Sequence, residues 1–396
     1  MSTKRLPPRI YRPLCPGTAV LRKRRSVFAV VITLLAFVQA ACTTGVNTQT
    51  ASGDSLQAIR RLVSTRTAAD SFSGAVILAH CDSILLEIHA GAADRDRQKP
   101  VGRETRFRIA SMTKMFTGVA VMQLVQDGKL APSDTISRLI PGLPADPFGR
   151  ITVHQLLTHS AGLGSIFKPE FFSRGANAFQ QTADFLPLFV RDSLLFQPGA
   201  RWAYSNAGYV LLGLAIERLR GESYADYVRR RVFAPAGMSS ESADEINRAE
   251  PDRAIAYTRS QSNPMWQSAE QIGLRRIMPA GGAVLSARDV HRFAMALLRY
   301  RLLDSASTNV ATTGVVQYRP GARYGYGFAN ELVDGQRIVF HDGGADGIST
   351  NLDMIPERGL VAIVLSNLDP PAARPIRDAL RAEMLSPHRL KGGSCR

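Results

Sequence analysis

Cysteine and lysine are scarce in this chain of 396 residues. Its four cysteines include no Cys-x-x-Cys pair, which argues against a disulfide scaffold and against a cysteine zinc site. Arginine supplies most of the 49 basic residues, a bias that codon usage explains as well as phosphate binding does. The chain also lacks His-Glu-x-x-His, a Walker loop and Gly-x-Ser-x-Gly, which excludes zincin proteases, P-loop enzymes and ordinary α/β-hydrolases.

The positive charge is concentrated at the N-terminus. Residues 1–41 hold eight basic residues and no acidic residue, which accounts for half of the formal net charge of +16. The remainder has no basic stripe interleaved with aromatic residues, so we expect no nucleic-acid partner. Apolar residues make up 45% of the chain, which indicates a folded protein with a sizeable core rather than a disordered one.

The same N-terminal segment has the pattern of a secretory signal. The basic residues 22–25 precede an apolar run over 27–41. Signals combine a positive segment with about 7–15 apolar residues, whereas spanning a bilayer takes about 20. We therefore predict a signal peptide over 1–41, a flexible polar tether over 42–54 and export to the periplasm. Cleavage after Ala40 and lipoprotein processing at Cys42, which would attach the chain to a membrane, both remain open.

Strand patterns occur at both ends of the remaining chain, and helical patterns lie between them. Runs rich in Val, Ile and Leu predict strands over 74–80 and 84–89. Three more strands are predicted over 337–340, 349–355 and 360–365, the last two joined by a turn sequence. Apolar periodicity predicts helices over 111–127, 208–220 and 289–300. We therefore predict an α/β (α+β) fold with an antiparallel five-stranded sheet, built from both ends of the chain and flanked by helices, and an inserted, mostly helical subdomain.

The domain boundaries follow from these patterns. We predict one domain over 55–387, with an α/β part over about 55–127 and 276–387 and a helical part over about 128–275. Scattered phenylalanines without a clear period over 164–197 indicate a long loop or lid. We expect 388–396 to be a loose tail. Cys81 and Cys395 can pair, although two free thiols are the simpler interpretation.

Ser111 and Lys114 form the first candidate catalytic pair. Their i, i+3 spacing at the start of a predicted helix places a hydroxyl and an amine on one face. A serine needs a neighbouring base to act as a nucleophile, and a lysine whose pKa is lowered by burial can serve. A second copy of the pattern, Ser165 with Lys168, is followed by a proline in the irregular segment, and we interpret it as a chance match.

Two further clusters carry suitable chemistry. Tyr204 and Asn206 lie immediately before the helix predicted from 208, where a phenol can relay a proton and an amide can bind a substrate carbonyl. His341, Gly343 and Gly344 follow the strand predicted over 337–340. Glycine there would let a substrate lie against the strand edge, with the Gly344 N–H free to donate.

In this order the motifs resemble those of the serine β-lactamase and penicillin-binding superfamily, and most of all its branch of class C β-lactamases, D-alanyl-D-alanine carboxypeptidases and esterases. The likeness runs from about residue 72 to 367. It extends to further stretches, over 107–110, 151–159, 198–209, 280–282 and 324–327.

The resemblance implies an acyl-enzyme mechanism. Ser111 would attack a carbonyl while Lys114 takes its proton, and Tyr204 would protonate the leaving group and help to activate the deacylating water. Asn206 would orient the substrate, and the Ser111 and Gly344 N–H groups would form the oxyanion hole. His341 replaces the lysine of β-lactamases, and a neutral histidine holds a substrate carboxylate less firmly.

The resemblance leaves the substrate open among a β-lactam, a D-Ala peptide and a small ester. The alternative function is a penicillin-binding or sensing protein that acylates without efficient turnover. We expect no cofactor and no metal, because His154 and His159 lack a third ligand at suitable spacing. The expected partner is a small-molecule or peptide substrate, and the sequence does not indicate an oligomeric state.

Overall fold

The computed structural model describes residues 48–174, 178–239, 252–270, 276–389 and 393–395. The predicted signal peptide over 1–41 and the candidate lipidation site Cys42 lie outside these ranges. None of the helices within them combines the length and the apolar character that crossing a bilayer requires.

Fourteen strands occur in the described residues. In chain order, β1 to β14 are Gly74–His80, Ser83–Ala90, Ala92–Asp94, Lys99–Pro100, Phe107–Arg108, Tyr257–Thr258, Gln267–Ser268, Val284–Leu285, Val316–Arg319, Ala322–Tyr324, Ala329–Val333, Gln336–Ala345, Ile348–Ile355 and Leu360–Ser366.

Eight of these strands form one antiparallel sheet in the order β2-β1-β14-β13-β12-β11-β10-β9. The fold class and the assembly from both chain ends are confirmed, since β1 pairs with β14 along its whole length. The sheet has eight strands rather than the predicted five. The added strands, β9 to β11, carry mixed polar and apolar residues, and half-exposed strands near an edge have no continuous apolar run to reveal them.

Twelve α-helices accompany the sheet in the same part of the chain. In chain order, α1 to α12 are Thr48–Ala68, Lys114–Gln126, Ile136–Leu139, Ala145–Phe148, Val153–Leu157, Pro169–Arg174, Asn206–Arg220, Tyr224–Val228, Ala234–Ala236, Ala287–Leu298, Ser305–Thr312 and Arg374–Met384. Helix α7 begins with the Ser205 side chain as its N-cap and ends at Gly221, whose φ of 68° suits glycine.

Both faces of the sheet are covered. Along β1, Ile77 belongs to the large core shared with α2, α7 and α10. Its neighbours Val76 and Leu78 point the other way, into a second core with α1 and α12. This alternation explains why β1 and β14 read as nearly continuous apolar runs, because strands buried on both faces favour apolar residues at successive positions.

Both predicted termini of the domain differ from the structure. Helix α1 begins at Thr48, so the last part of the predicted tether is helical. A helix anchored by Ile59 and Val63 can extend by further turns at little cost once it is nucleated. The predicted loose tail is tied down, because Cys395 forms a disulfide with Cys81. A pair separated by 314 residues leaves no local pattern in the sequence.

Candidate active site

Ser111 lies in a 3-10 turn, Ala110–Thr113, that links β5 to α2. Ala110 adopts a left-handed backbone conformation with a φ of 44°, which is uncommon for a residue with a side chain. The turn is held from within and from outside: Thr113 Oγ1 donates to the Ala110 carbonyl at 2.8 Å, and the Ile109 N–H donates to Ala283 at 3.0 Å. Strain that the surroundings hold in place is characteristic of functional sites.

Lys114 is the first residue of α2 and has no exposed surface. Its Nζ donates to Asn206 Oδ1 at 2.6 Å, to the Ala280 carbonyl at 2.6 Å and to Ser111 Oγ at 3.3 Å. None of these three partners is a carboxylate. Burial lowers the pKa of Lys114 well below its usual value of 10.5. The amine can therefore exist as a neutral base within reach of the serine.

Tyr204 approaches Ser111 from the other side. Its hydroxyl donates to Ser111 Oγ at 2.7 Å, and its ring lies 4.9 Å from Lys114 Nζ. The residue as a whole is 39% exposed, but the protein around the phenol removes water from it and raises its pKa above 10, an effect that the hydrogen bond to Ser111 partly offsets. Tyr204 is consequently protonated at neutral pH.

These opposite pKa shifts give the two groups around Ser111 Oγ different roles. Ser111 Oγ lies between an amine that loses its proton readily and a phenol that keeps its own. Two titratable groups whose pKa values are driven apart can divide acid and base work between them. The geometry thus favours Lys114 as the group that accepts the serine proton and Tyr204 as a donor.

The predicted substrate-binding residues occupy different positions. Asn206 and Gly344 line a cavity of about 310 Å³ that opens onto Ser111. Gly343 lies inside β12, which packs so closely on the Ser111 turn that a Cβ at this position would come within 2.1 Å of the Ile109 carbonyl oxygen. The motif is therefore part of β12 rather than a segment after the strand, because the glycines continue the pairing with β13.

His341 is buried behind the cavity and does not line it. Its Nδ1 lies 2.7 Å from the Asp342 carbonyl oxygen, so this nitrogen carries the proton, and its Nε2 accepts from the Tyr324 hydroxyl at 2.9 Å. Burial, reinforced by the charge of Lys114, lowers the pKa of His341 to about 4. Both nitrogens of a neutral ring are thus occupied, a placement that differs from the predicted contact with substrate.

The acidic neighbour of His341 also points away from the cavity. Asp342 accepts from Asn351 Nδ2 at 2.7 Å and lies 3.6 Å from Arg377. Its charge is therefore balanced within the sheet surface, and it is not one of the cavity-lining residues.

The two histidines that the sequence analysis considered as metal ligands, and the second Ser-x-x-Lys pattern, make other contacts. Nδ1 of His154 bonds the Tyr326 hydroxyl at 2.8 Å, and Nδ1 of His159 accepts from the Ser205 N–H at 3.1 Å. Lys168 pairs with Asp192 at the surface. In the part of the chain that the structure describes, no cluster of three His, Cys, Asp or Glu residues could hold a metal ion.

Sequence reasoning missed part of the cavity wall. Ile166, Phe167, Phe171 and Phe172 come from the segment that the sequence indicated as a loop or lid, and Asp346 follows β12. Phe167 is 43% exposed and Phe172 is 58% exposed. Large aromatic residues in a segment without periodicity were the available signal, because apolar side chains that stay exposed in one cluster tend to mark binding surfaces.

Known proteins resemble this chain in sequence and in fold. Penicillin-binding protein 4* of Bacillus subtilis (strain 168) is 29% identical over 325 residues, which cover 78% of this chain and 71% of that protein. The crystal structure of a penicillin binding protein from Bacillus halodurans superposes with a TM-score of 0.75 at 28% identity, over 83% of this chain and 98% of that one. A D-stereospecific amidohydrolase from Streptomyces sp. superposes with a TM-score of 0.71 at 25% identity, over 84% and 98% of the two chains.

Another relative is longer. The chain spans 64% of the length of protein flp from Staphylococcus aureus (strain N315). The family model described as Beta-lactamase matches residues 59–385, most of the chain. With its large antiparallel sheet flanked by helices, and with hydrolases among its structural neighbours, this chain has a serine-hydrolase-type fold and belongs to the Beta-lactamase family.

Proposed function

We propose that this protein is an exported serine hydrolase that cleaves an amide or ester through an acyl-enzyme on Ser111. The observation that carries the proposal is the pair of contacts at Ser111 Oγ, 3.3 Å from the Lys114 amine and 2.7 Å from the Tyr204 hydroxyl. A binding protein has no need of a buried base and an acid on the same hydroxyl, whereas covalent catalysis requires both.

In the first half of the reaction, Ser111 Oγ bonds to the substrate carbonyl carbon while its proton passes to the neutral amine of Lys114. The negative charge that develops on the carbonyl oxygen is stabilised by the backbone N–H groups of Ser111 and Gly344, and each such donor is typically worth about 3–4 kcal/mol. The bond to the leaving nitrogen or oxygen then breaks, and Tyr204 supplies the proton that this atom needs. Lys114, close to the Tyr204 ring, returns the proton to the phenol.

In the second half, water attacks the ester carbon of the acyl-enzyme. The same groups act in reverse, so that a proton leaves the water and Ser111 Oγ recovers one as the acyl bond breaks. Asn206 holds the substrate in register, since its Oδ1 is fixed by Lys114 and the residue lines the cavity that the substrate would enter. A β-lactam, a D-Ala peptide and a small ester all fit this chemistry.

Reaction with two active-site probes tests the proposal. We expect a fluorescent penicillin or a fluorophosphonate to label the purified protein and a Ser111→Ala variant to remain unlabelled. A penicillin label that disappears with time indicates turnover, and one that persists supports the alternative penicillin-binding or sensing protein. Equal labelling of both proteins, or labelling of neither, would exclude Ser111 as the nucleophile.

A panel of substrates then resolves the class of bond. Rates on a chromogenic cephalosporin, a short-chain nitrophenyl ester and a D-Ala-D-Ala peptide are compared in the same buffer. Export has a separate test in the N-terminal sequence of the mature protein. Finding residues 1–41 intact on cytosolic protein would refute it, and an acylated Cys42 would identify the chain as a periplasmic lipoprotein.

A further inference from the structure

On the basis of the acyl-enzyme chemistry proposed above, we propose that Asp346 binds a cationic amine on the acyl part of the substrate. The favoured substrates are then amides or esters of amino acids with a free ammonium group and an apolar side chain. Asp346 would be a specificity-determining residue for the reaction at Ser111.

Asp346 shares the cavity with the nucleophile and is held there by the backbone. With Gly347 it forms the turn between β12 and β13, next to the paired residues Ala345 and Ile348. The turn is fixed because the Gly347 N–H donates to Asp369 at 2.7 Å. A Cβ on Gly347 would meet Ala256 at 2.7 Å, and its φ of 69° also favours glycine. The carboxylate is thus presented by a rigid element, as a binding group should be.

The charge of Asp346 is not balanced by any cation in the described ranges. The pKa of Asp346 is raised, first because the surrounding protein removes part of the water around the carboxylate and second because another acid, Asp369, lies nearby. Asp369 itself is occupied by the N–H groups of Gly347 and Arg259 and by the Thr258 hydroxyl. A positively charged group on the substrate would therefore stabilise the negative charge of Asp346 in the cavity wall.

The cation that also lines the cavity is already paired. Arg108 is buried and lies 4.0 Å from Glu270, whose other oxygen accepts from Arg253 at 2.7 Å. Arg108 is thus held in the wall by a carboxylate, whereas Asp346 is exposed. A cationic group on the substrate can therefore pair with Asp346, whereas the charge of Arg108 is already paired with Glu270.

Aromatic residues complete the subsite. Phe167, Phe171 and Phe172 line the same cavity, with ring centroids 5.0 to 6.4 Å apart. Exposed aromatic faces favour an apolar side chain, and they also attract ammonium groups through their negative π surface. An aromatic wall combined with one carboxylate matches a ligand that is apolar at one end and cationic at the other.

The short chain separation of Asp346 from Gly344 fits the distance between a carbonyl and an α-ammonium group. Asp346 is the second residue beyond Gly344, the proposed oxyanion donor, and directly follows the end of β12. Two residues of chain span at most about 7 Å. A carbonyl oxygen held by Gly344, an adjacent ammonium group and one charge-assisted hydrogen bond of about 2.7–2.9 Å together span a similar length. The amine is therefore expected on the carbon next to the scissile carbonyl.

Direct binding provides the test without depending on turnover. Ser111→Ala protein is titrated by calorimetry at pH 6.5 with D- and L-phenylalaninamide, and with 3-phenylpropanamide, which lacks only the amine. We expect at least one enantiomer of the amine to bind 10-fold or more tightly than the neutral amide. Adding Asp346→Asn should bring this ratio close to one, and Asp346→Ser serves as a second variant that also suits a turn.

Asp342→Asn is the matched control, because it removes a neighbouring negative charge on β12 that faces away from the cavity. The ratio should persist in this variant. Equal binding of amine and neutral amide, no binding of the amine, or a ratio that survives at Asp346→Asn would overturn the assignment. The proposed hydrolysis is judged separately, by whether the protein with Ser111 intact cleaves the nitrophenyl ester of 3-phenylpropanoic acid.

Discussion

At the residue scale, Lys114 is the group on which the proposed chemistry depends. Replacing it by methionine keeps the volume and apolar length of the side chain but removes the base. We expect the rate of Ser111 labelling by a fluorophosphonate to fall by about 10²–10⁴, the usual contribution of a general base. The measurement is the labelling rate at constant probe concentration.

Lys168→Met is the matched control, because the chance Ser165-x-x-Lys168 pattern offers a lysine that pairs with Asp192 at the surface. Its labelling rate should equal that of the unmodified protein. A Lys114→Met variant that labels within a few-fold of the unmodified protein would show that another group takes the serine proton.

The lowered pKa of His341 predicts that the protein becomes less stable in acid. Its pKa falls from 6.5 to about 4 on folding, so between these values the unfolded chain binds a proton that the folded protein does not. The free energy of unfolding should therefore fall as the pH drops from 6.5 to 4, by about 3 kcal/mol from this residue. Urea titrations at pH 7 and pH 4.5 measure the loss.

His341→Gln should show a smaller loss over the same pH range, whereas His80→Gln, at the partly exposed end of β1, should behave like the unmodified protein. An identical loss in the His341 variant would mean that other groups cause the acid sensitivity. Buried His159, whose pKa is also lowered, is the next residue to examine.

The sequence predicted part of the site and missed another part for a physical reason. The residues that were predicted belong to short motifs whose order along the chain indicated their roles: Ser111, Lys114, Tyr204 and Asn206. The structure brings all four together. The role of Asp346 depends on which charges surround it after folding. A single acidic residue in a turn does not indicate, from the sequence alone, which charges will surround it.

At the scale of elements, the close approach of β12 to the Ser111 turn is the contact that holds the site together. We expect Gly343→Ala to force these elements apart, because its Cβ would lie 2.1 Å from the Ile109 carbonyl oxygen and 2.3 Å from Thr350 Oγ1. Overpacking of this kind typically costs about 1–3 kcal/mol. Both the melting temperature and the labelling rate at Ser111 should fall.

Gly102→Ala is the control for this substitution, since the nearest atom to its Cβ would be 3.9 Å away. It should leave the labelling rate unchanged. If Gly343→Ala labels as fast as the unmodified protein, then β12 does not set the position of the nucleophile.

Strands with one clear hydrophobic pattern were predicted from the sequence, whereas elements of mixed polar and apolar composition were missed. The continuous apolar runs of β1 and β14 gave their positions within a residue or so, because burial on both faces favours apolar residues along the whole strand. Helices α1 and α12 were missed although they cover one face of the sheet. Both have polar mean composition. In α1 the apolar residues form only a weak pattern, whereas α12 carries Ile376, Leu380 and Met384 at four-residue spacing, a signal that the prediction overlooked.

At the scale of the whole molecule, the Cys81–Cys395 disulfide joins the tail to the first hairpin. We expect Cys395→Ser to lower the free energy of unfolding by about 2–5 kcal/mol, the usual effect of losing a native disulfide. A reductant should destabilise the unmodified protein to a similar extent. Thermal unfolding with and without reductant measures both effects.

The Cys395→Ser variant should not respond further to reductant, which separates loss of the disulfide from a general effect of the reagent. An unmodified protein whose melting temperature is insensitive to reductant would contradict a stabilising bond. Persistence of this disulfide also fits an oxidising compartment, the environment in which such bonds form.

The pairing of β1 with β14 has a consequence for biosynthesis. While the ribosome is still making the middle of the chain, β1 has no partner on the side where β14 will lie, and the central sheet stays incomplete until residues 360–366 have emerged. Contacts between such distant segments form slowly. The sheet of such a nascent chain therefore cannot close until synthesis is nearly finished, a delay that would suit a translocation channel accepting only extended polypeptide.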